Sequence, residues 1–180
     1  MSNKLPLDVK LDYSLLHMSY GAEKINYANK TEFYKKLNEE LVHNLDKHWF
    51  TNLSQFSALV FDQLPDINWV GFYLNVSEEL ILGPFQGKPA CMKIAFGRGV
   101  CGTSAAKREA ILVDDVDSFP GHIACDSASR SEIVIPLIQG GKVLGVLDVD
   151  SPSLKRFTQE DVAGLKVMTE TLLKTTQITL

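Results

Sequence analysis

No stretch of this chain gathers lysine and arginine without aspartate and glutamate close by, and its formal net charge is -4. Proteins that bind nucleic acid or anionic membranes neutralise phosphates with clustered cations, so neither is an expected partner. No apolar run approaches the roughly 18 residues that a membrane span needs. The N-terminal Met1-Ser2-Asn3-Lys4-Leu5-Pro6-Leu7-Asp8 lacks the apolar segment of a secretory signal. The expected location is therefore cytoplasmic, with the nucleus also open. A Walker loop, a dinucleotide fingerprint and a Ser-His-Asp signature are all missing. Cysteine is scarce, with three residues, and in a reducing compartment an odd set reads as catalytic, redox-sensing or incidental rather than as a disulfide framework. Cys91, Cys101, Cys125 and His122 make a nominal zinc set. Structural zinc ligands come in short C-x₂₋₄-C pairs, which these wide gaps are not, so no metal is expected.

The three cysteines nevertheless cluster in about one fifth of the chain, in neighbourhoods rich in turn residues or cations. Cys101 lies in Gly97-Arg98-Gly99-Val100-Cys101-Gly102. That segment leads into a short helix over Thr103–Lys107, whose unpaired N–H groups are expected to favour a thiolate. Cys125 ends the loop Gly121-His122-Ile123-Ala124. There His122 assists ionisation, the following Asp126 opposes it, and loop placement keeps the thiol accessible.

With 180 residues, 45% of them hydrophobic, the chain suits one well-filled domain. The expected layout is an N-terminal extension over 1–28 and a single domain over 29–180. Phe33, Leu37, Leu41 and Leu45 predict a helix over Thr31–Lys47 with Thr31 as cap; Phe56, Val60 and Leu64 predict a second over Leu53–Phe61, capped by Thr51 or Asn52. Strands are predicted over Ile67–Val76 and Leu80–Phe85, a brief one over Ala110–Val113, and a hairpin over Ser131–Gln139 and Lys142–Val149 around Gly140-Gly141. Asp114–Arg130 reads as a long irregular loop, a feature more often functional than accidental. A final helix is predicted over Thr158–Lys174, with Val162, Leu165, Met168 and Leu172 on one face. The fold class that follows is α+β: an antiparallel sheet with helices on one face and loops over a ligand site on the other.

Acids stand where strands seldom hold them. Glu132 opens one strand of the second hairpin, while Asp148 and Asp150 interrupt the apolar run of the other and, by alternation, share a face. Crowded carboxylates raise one another's proton affinity, so one can stay protonated as a donor. Trp69 is either core or the wall of a pocket.

Taken together, Trp69-Val70-Gly71-Phe72-Tyr73, the Gly97–Gly102 segment with Cys101, Ile111–Val116, Cys125, Ser131–Pro136 and Gly145–Ser151 resemble a GAF domain. More narrowly, they are similar to the free methionine-(R)-sulfoxide reductases, which are stand-alone GAF domains. The resemblance implies a pocket under the Asp114–Arg130 loop. Trp69 would face the substrate's S-methyl end, and Glu132, Asp148 and Asp150 its sulfoxide and ammonium groups. It further implies reduction of free methionine (R)-sulfoxide through a sulfenic acid and a disulfide, with thioredoxin as reductant and no bound cofactor. Cys125 or Cys101 would attack, the loop position favouring Cys125, and Cys91 or Cys101 would resolve. A homodimer through the helical layer, using Leu41, Phe56, Val60, Leu165 and Leu172, is a further expectation. The rival readings are a non-catalytic GAF sensor of a cyclic nucleotide or other metabolite and a thiol-based oxidant sensor.

Overall fold

The computed structural model describes residues 24–121 and 127–179. Six strands, β1 (Trp69–Val76), β2 (Glu79–Gly87), β3 (Lys93–Ala95), β4 (Ile111–Val113), β5 (Ser131–Gln139) and β6 (Lys142–Ser151), pair antiparallel in the order β3-β2-β1-β6-β5-β4. Gly140 and Gly141 both take positive φ, 56° and 75°, the mirror-image turn whose twist matches a tight hairpin. Ser77 and Glu78 adopt the same left-handed conformation between β1 and β2 without the help of glycine. The predicted strands at β1, β2, β4, β5 and β6 are all present, and β6 runs on to Ser151. β3 was not predicted: three residues with one buried side chain, Ile94, carry no readable alternation.

Three helices, α1 (Lys30–His43), α2 (Trp49–Gln63) and α4 (Gln159–Thr175), lie on one face of the sheet. There Leu37, Leu41, Phe56, Val60, Leu165, Met168 and Leu172 form one core with Val70, Phe72, Ile133, Ile135, Leu147 and Val149. The apolar residues assigned above to a dimer surface, Leu41, Phe56, Val60, Leu165 and Leu172, are completely buried within the monomer. They cover the sheet rather than a partner, so they offer no dimer surface. The opposite face is not left to loops alone. The fourth helix, α3 (Gly99–Lys107), packs Val100, Cys101 and Ala105 against Tyr73, Val134 and Val146.

The helix caps differ from the sequence reading. Asn29, not Thr31, caps α1, accepting from Glu32 N at 2.9 Å. At α2 the capping position falls to His48, because Asn52 turns inward, bonding the backbone of Asp46 and the Thr176 hydroxyl. Residues just before α1 dock as well, with Ile25 N donating to Gln63 Oε1 at 2.9 Å.

Asp161 joins α1 to α4. It accepts from Thr158 N at 2.7 Å and from Tyr34 Oη at 2.8 Å, and pairs with Lys30. Burial pushes its carboxyl up, but the donors from Lys30, Thr158 and Tyr34 outweigh burial and hold it below the ordinary range. A depressed carboxylate adds stability at neutral pH that disappears as pH falls through its folded value. Replacing it with alanine strands three donors around a lost charge. Asp161→Ala is therefore expected to cost about 3 kcal/mol at pH 7, and this loss should shrink toward pH 3 in urea melts.

Candidate functional site

Alternation along the strands assembles one patch on the face that carries α3. Direct pairing aligns Val113, Glu132, Asp150, Trp69 and Gly87 in one row across β4, β5, β6, β1 and β2. The next row is Ile111, Val134, Asp148, Gly71 and Phe85. Facing pairs in an antiparallel sheet project to the same side, so all three predicted acids and Trp69 share this face. Gly71 matters at its centre. A Cβ there would lie 2.3 Å from Phe85 Cβ and 2.7 Å from Trp69 Cη2, so only glycine lets the indole lean across the row. The Trp69 ring then stacks on Phe85, centroids 5.4 Å apart, and on Tyr73, 5.9 Å apart. Trp69 is thus both packed and a wall of the patch.

Cys101 reaches the acids from the first turn of α3. The close seat of that helix depends on Gly102, where a Cβ would meet Ala95 O at 2.3 Å. Cys101 Sγ sits 3.9 Å from Glu132 Oε1. One ligand atom each from Cys101, Glu132 and Asp148 lies within 4.8 Å of the others, and all three residues are buried. Asp148 Oδ1 finds no hydrogen-bond partner among the described residues.

Such crowding decides the protonation states. Burial, then the Asp148 and Asp150 charges, push the Glu132 carboxyl well above its ordinary range. Burial also raises Asp148, though hydrogen bonds with Cys101 and Glu132 pull it back, leaving it at about 6. Cys101 is raised well above a free thiol by burial and by the Asp148 and Glu132 charges. This overturns the expectation of a Cys101 thiolate: the helix N-terminus is worth about 1 kcal/mol, too little against complete burial beside two acids. These three atoms form the one group among the described residues that could hold a metal ion. A metal would require Cys101 and Glu132 to surrender protons that their surroundings favour.

The remaining site residues divide. Cys91, in the β2–β3 loop, is disulfide-bonded, whereas Cys101 is free. Asp150 sits half-buried at the end of β6. Cys125 and His122 lie outside the described residues, as does the middle of the Asp114–Arg130 loop. The described ends of that loop are fixed: Val116 N donates to Arg130 O at 3.0 Å and Arg130 N to Ser151 O at 2.7 Å. Sequence reasoning did not single out Gly71, Tyr73, Phe85 or Gly87. Tyr73, four residues after Trp69 in a strand, was recoverable from alternation; Phe85 and Gly87 required the register of β2.

The antiparallel sheet, its helical layer and the acid row under α3 define a GAF domain, whose family profile matches residues 51–172. The chain belongs to that family and, within it, to the free methionine-R-sulfoxide reductases, a family of oxidoreductases. It is 49% identical over 148 residues to the free methionine-R-sulfoxide reductase of Escherichia coli K12, covering 81% of this chain and 90% of the relative. With that of Saccharomyces cerevisiae it shares 42% over 168 residues, covering 86% and 93%. A solved structure of the Neisseria meningitidis free methionine-R-sulfoxide reductase in complex with its substrate superposes with a TM-score of 0.81. That protein is 41% identical, with 86% of this chain and 94% of that one covered.

Burying Asp148 has a measurable cost. Its folded value of about 6 lies above the 3.8 of an ordinary aspartate, so its contribution is fully present below the unfolded value and is lost as pH rises through 6. Asp148→Asn is expected to be more stable than the parent at pH 7.5, by about 3 kcal/mol, and by less than about 1 kcal/mol at pH 4. Thermal melts at the two pH values check this.

Proposed function

We propose that the chain reduces free L-methionine (R)-sulfoxide to methionine, and that the carrying observation is a buried carboxyl group, Glu132, whose proton affinity is raised by burial and by two further carboxyl groups, beside an aromatic wall. Reducing a sulfoxide requires a nucleophile for sulfur and a proton for the departing oxygen. A thiolate of Cys125 attacks the sulfoxide sulfur while Glu132 donates to its oxygen. Methionine leaves, and the enzyme keeps the oxygen as a sulfenic acid. Trp69 receives the S-methyl end, and Asp148 and Asp150 supply negative charge for the ammonium of an unblocked amino acid. A peptide-bound methionine has no such ammonium, so the reading favours the free amino acid.

Cys91 condenses with the sulfenic acid, forming a disulfide and releasing water. Its disulfide-bonded state, in a chain of three cysteines of which Cys101 is free, supports Cys91 as the resolving thiol. Thioredoxin then restores the dithiol by exchange. Cys101, held protonated under α3, stays out of the exchange.

Racemic free methionine sulfoxide, supplied with thioredoxin, thioredoxin reductase and NADPH, should be consumed to half. In single turnover without reductant, Cys125→Ser should release no methionine. Cys91→Ser should release one equivalent and then stop, and Cys101→Ser should still turn over many times. Glu132→Gln should slow methionine release by about a hundredfold or more. Repeated turnover by Cys125→Ser, or a complete block in Cys101→Ser with its fold intact, would reverse the assignment.

A further inference from the structure

Five residues, 88–92, connect β2 to β3 and carry Cys91, and their backbone hangs from the aromatic side chains of the site face. Trp69 Nε1–H donates to Lys88 O at 3.1 Å, and Tyr73 Oη–H donates to Cys91 O at 3.0 Å. Leu82 N–H donates to Met92 O at 3.0 Å. At the loop's start Gly87 has φ 126°, and a Cβ there would meet Trp69 Cδ1 at 2.6 Å and Asn68 O at 2.7 Å. The anchoring rings are themselves immobilised. Tyr73 is 1% exposed and stacks on Trp69, whereas Met92 beside Cys91 is 78% exposed.

A resolving thiol faces two demands. It has to meet a sulfenic acid before water, oxidant or another thiol does, and its disulfide has to remain open to an external reductant. A short loop free to explore its conformations satisfies the second demand but lowers the effective concentration of the thiol. A hydrogen bond to the carbonyl of the cysteine itself fixes that residue's backbone and leaves the outer side of the loop uncovered.

We propose that Tyr73 is a positioning residue for the second half-reaction, its phenolic O–H holding the Cys91 backbone so that the Cys91 sulfur closes rapidly on the sulfenic acid. The inference rests on Cys91 being the resolving thiol. In the step concerned the Cys91 sulfur attacks the sulfenic sulfur. The S–S bond forms, the S–O bond breaks, and oxygen leaves as water with the sulfenic proton and the proton that Cys91 gives up. No outside oxidant or reductant enters. Trp69 supports the same loop three residues earlier, through the Lys88 carbonyl.

The test is a single turnover of the full chain without reductant, following methionine release and thiol loss separately. Tyr73→Phe keeps the ring stack and deletes the donor. It should release methionine in the parental amount and within about twofold of the parental rate, while disulfide closure slows about tenfold, the size of one lost hydrogen bond. Sulfenic acid should therefore accumulate and be captured by dimedone. In steady state with thioredoxin, kcat should fall and KM for the sulfoxide should fall with it, leaving kcat/KM unchanged. A merely structural role for Tyr73 would instead reduce the amplitude of methionine release. Trp69→Phe, with the sulfenic acid generated by hydrogen peroxide so that substrate binding plays no part, should slow closure in the same direction; it decides the matter if Tyr73→Phe fails to fold. Closure at the parental rate in the variant tested overturns the inference while leaving Cys91 as the resolving thiol, provided Cys91→Ser closes none. If Cys91→Ser closes its disulfide normally, the underlying reading falls and the inference with it.

Discussion

Keeping ionisable groups out of water on the central strands of the sheet sets the terms for the rest of the molecule. Glu132 and Asp148 are both almost wholly buried, and two charged carboxylates at that separation would repel strongly at low local dielectric. Raising the proton affinity of these groups relieves the conflict. No lysine or arginine lines the rows that hold them, and Glu132 is pushed far above its ordinary range. A neutral carboxylic acid at physiological pH is a proton source, and in the reading proposed here the sulfoxide oxygen receives its proton. The same crowding raises the Cys101 thiol.

A patch of this kind demands a rigid base, because misplaced donors lose most of their effect. The helical layer supplies it. Leu37, Leu41, Phe56, Leu165 and Leu172 are fully excluded from solvent beneath the sheet, while Asp161 ties α1 to α4 through Tyr34 and Lys30. Small residues then decide how closely the functional elements approach. Gly71 admits the Trp69 ring, Gly102 admits α3 against β3, and at Gly164 a Cβ would fall 2.1 Å from the Tyr34 ring. Each is a place where a methyl group would push apart elements that carry or support the site.

Much of this was legible before folding. Alternation put Asp148 and Asp150 on one face, the Gly140-Gly141 pair fixed the second hairpin, and the rarity of acids in strands singled out Glu132, Asp148 and Asp150. What was not legible depended on distance in sequence. The row from Val113 to Gly87 exists only through the pairing of five strands, so Phe85 and Gly87 could not be placed beside Trp69 from local pattern. The reading of Cys101 went wrong for a related reason. Its neighbours in sequence are glycines and Arg98, which favour a thiolate, whereas its neighbours in space are Glu132 and Asp148, 31 and 47 residues away by sequence position. Local signals report the helix dipole; burial and remote charge outweigh it.

Opposite electrostatic requirements also keep thiol chemistry and acid chemistry apart in the proposed reaction. A proton donor needs surroundings that penalise negative charge, and a nucleophilic thiolate needs surroundings that tolerate it. One buried cluster cannot offer both, and a thiol placed inside it, as Cys101 is, takes on the character of its acid neighbours. In the proposed reaction the attacking sulfur therefore comes from an element outside the cluster, and the resolving sulfur from another that remains within reach of a reductant. Cys91, on a short loop whose backbone is held by Trp69 and Tyr73, fits the second requirement. The proposed site therefore combines a fixed interior that penalises charge with thiols supplied from its edge, a division that follows from the cost of charge in a dry environment.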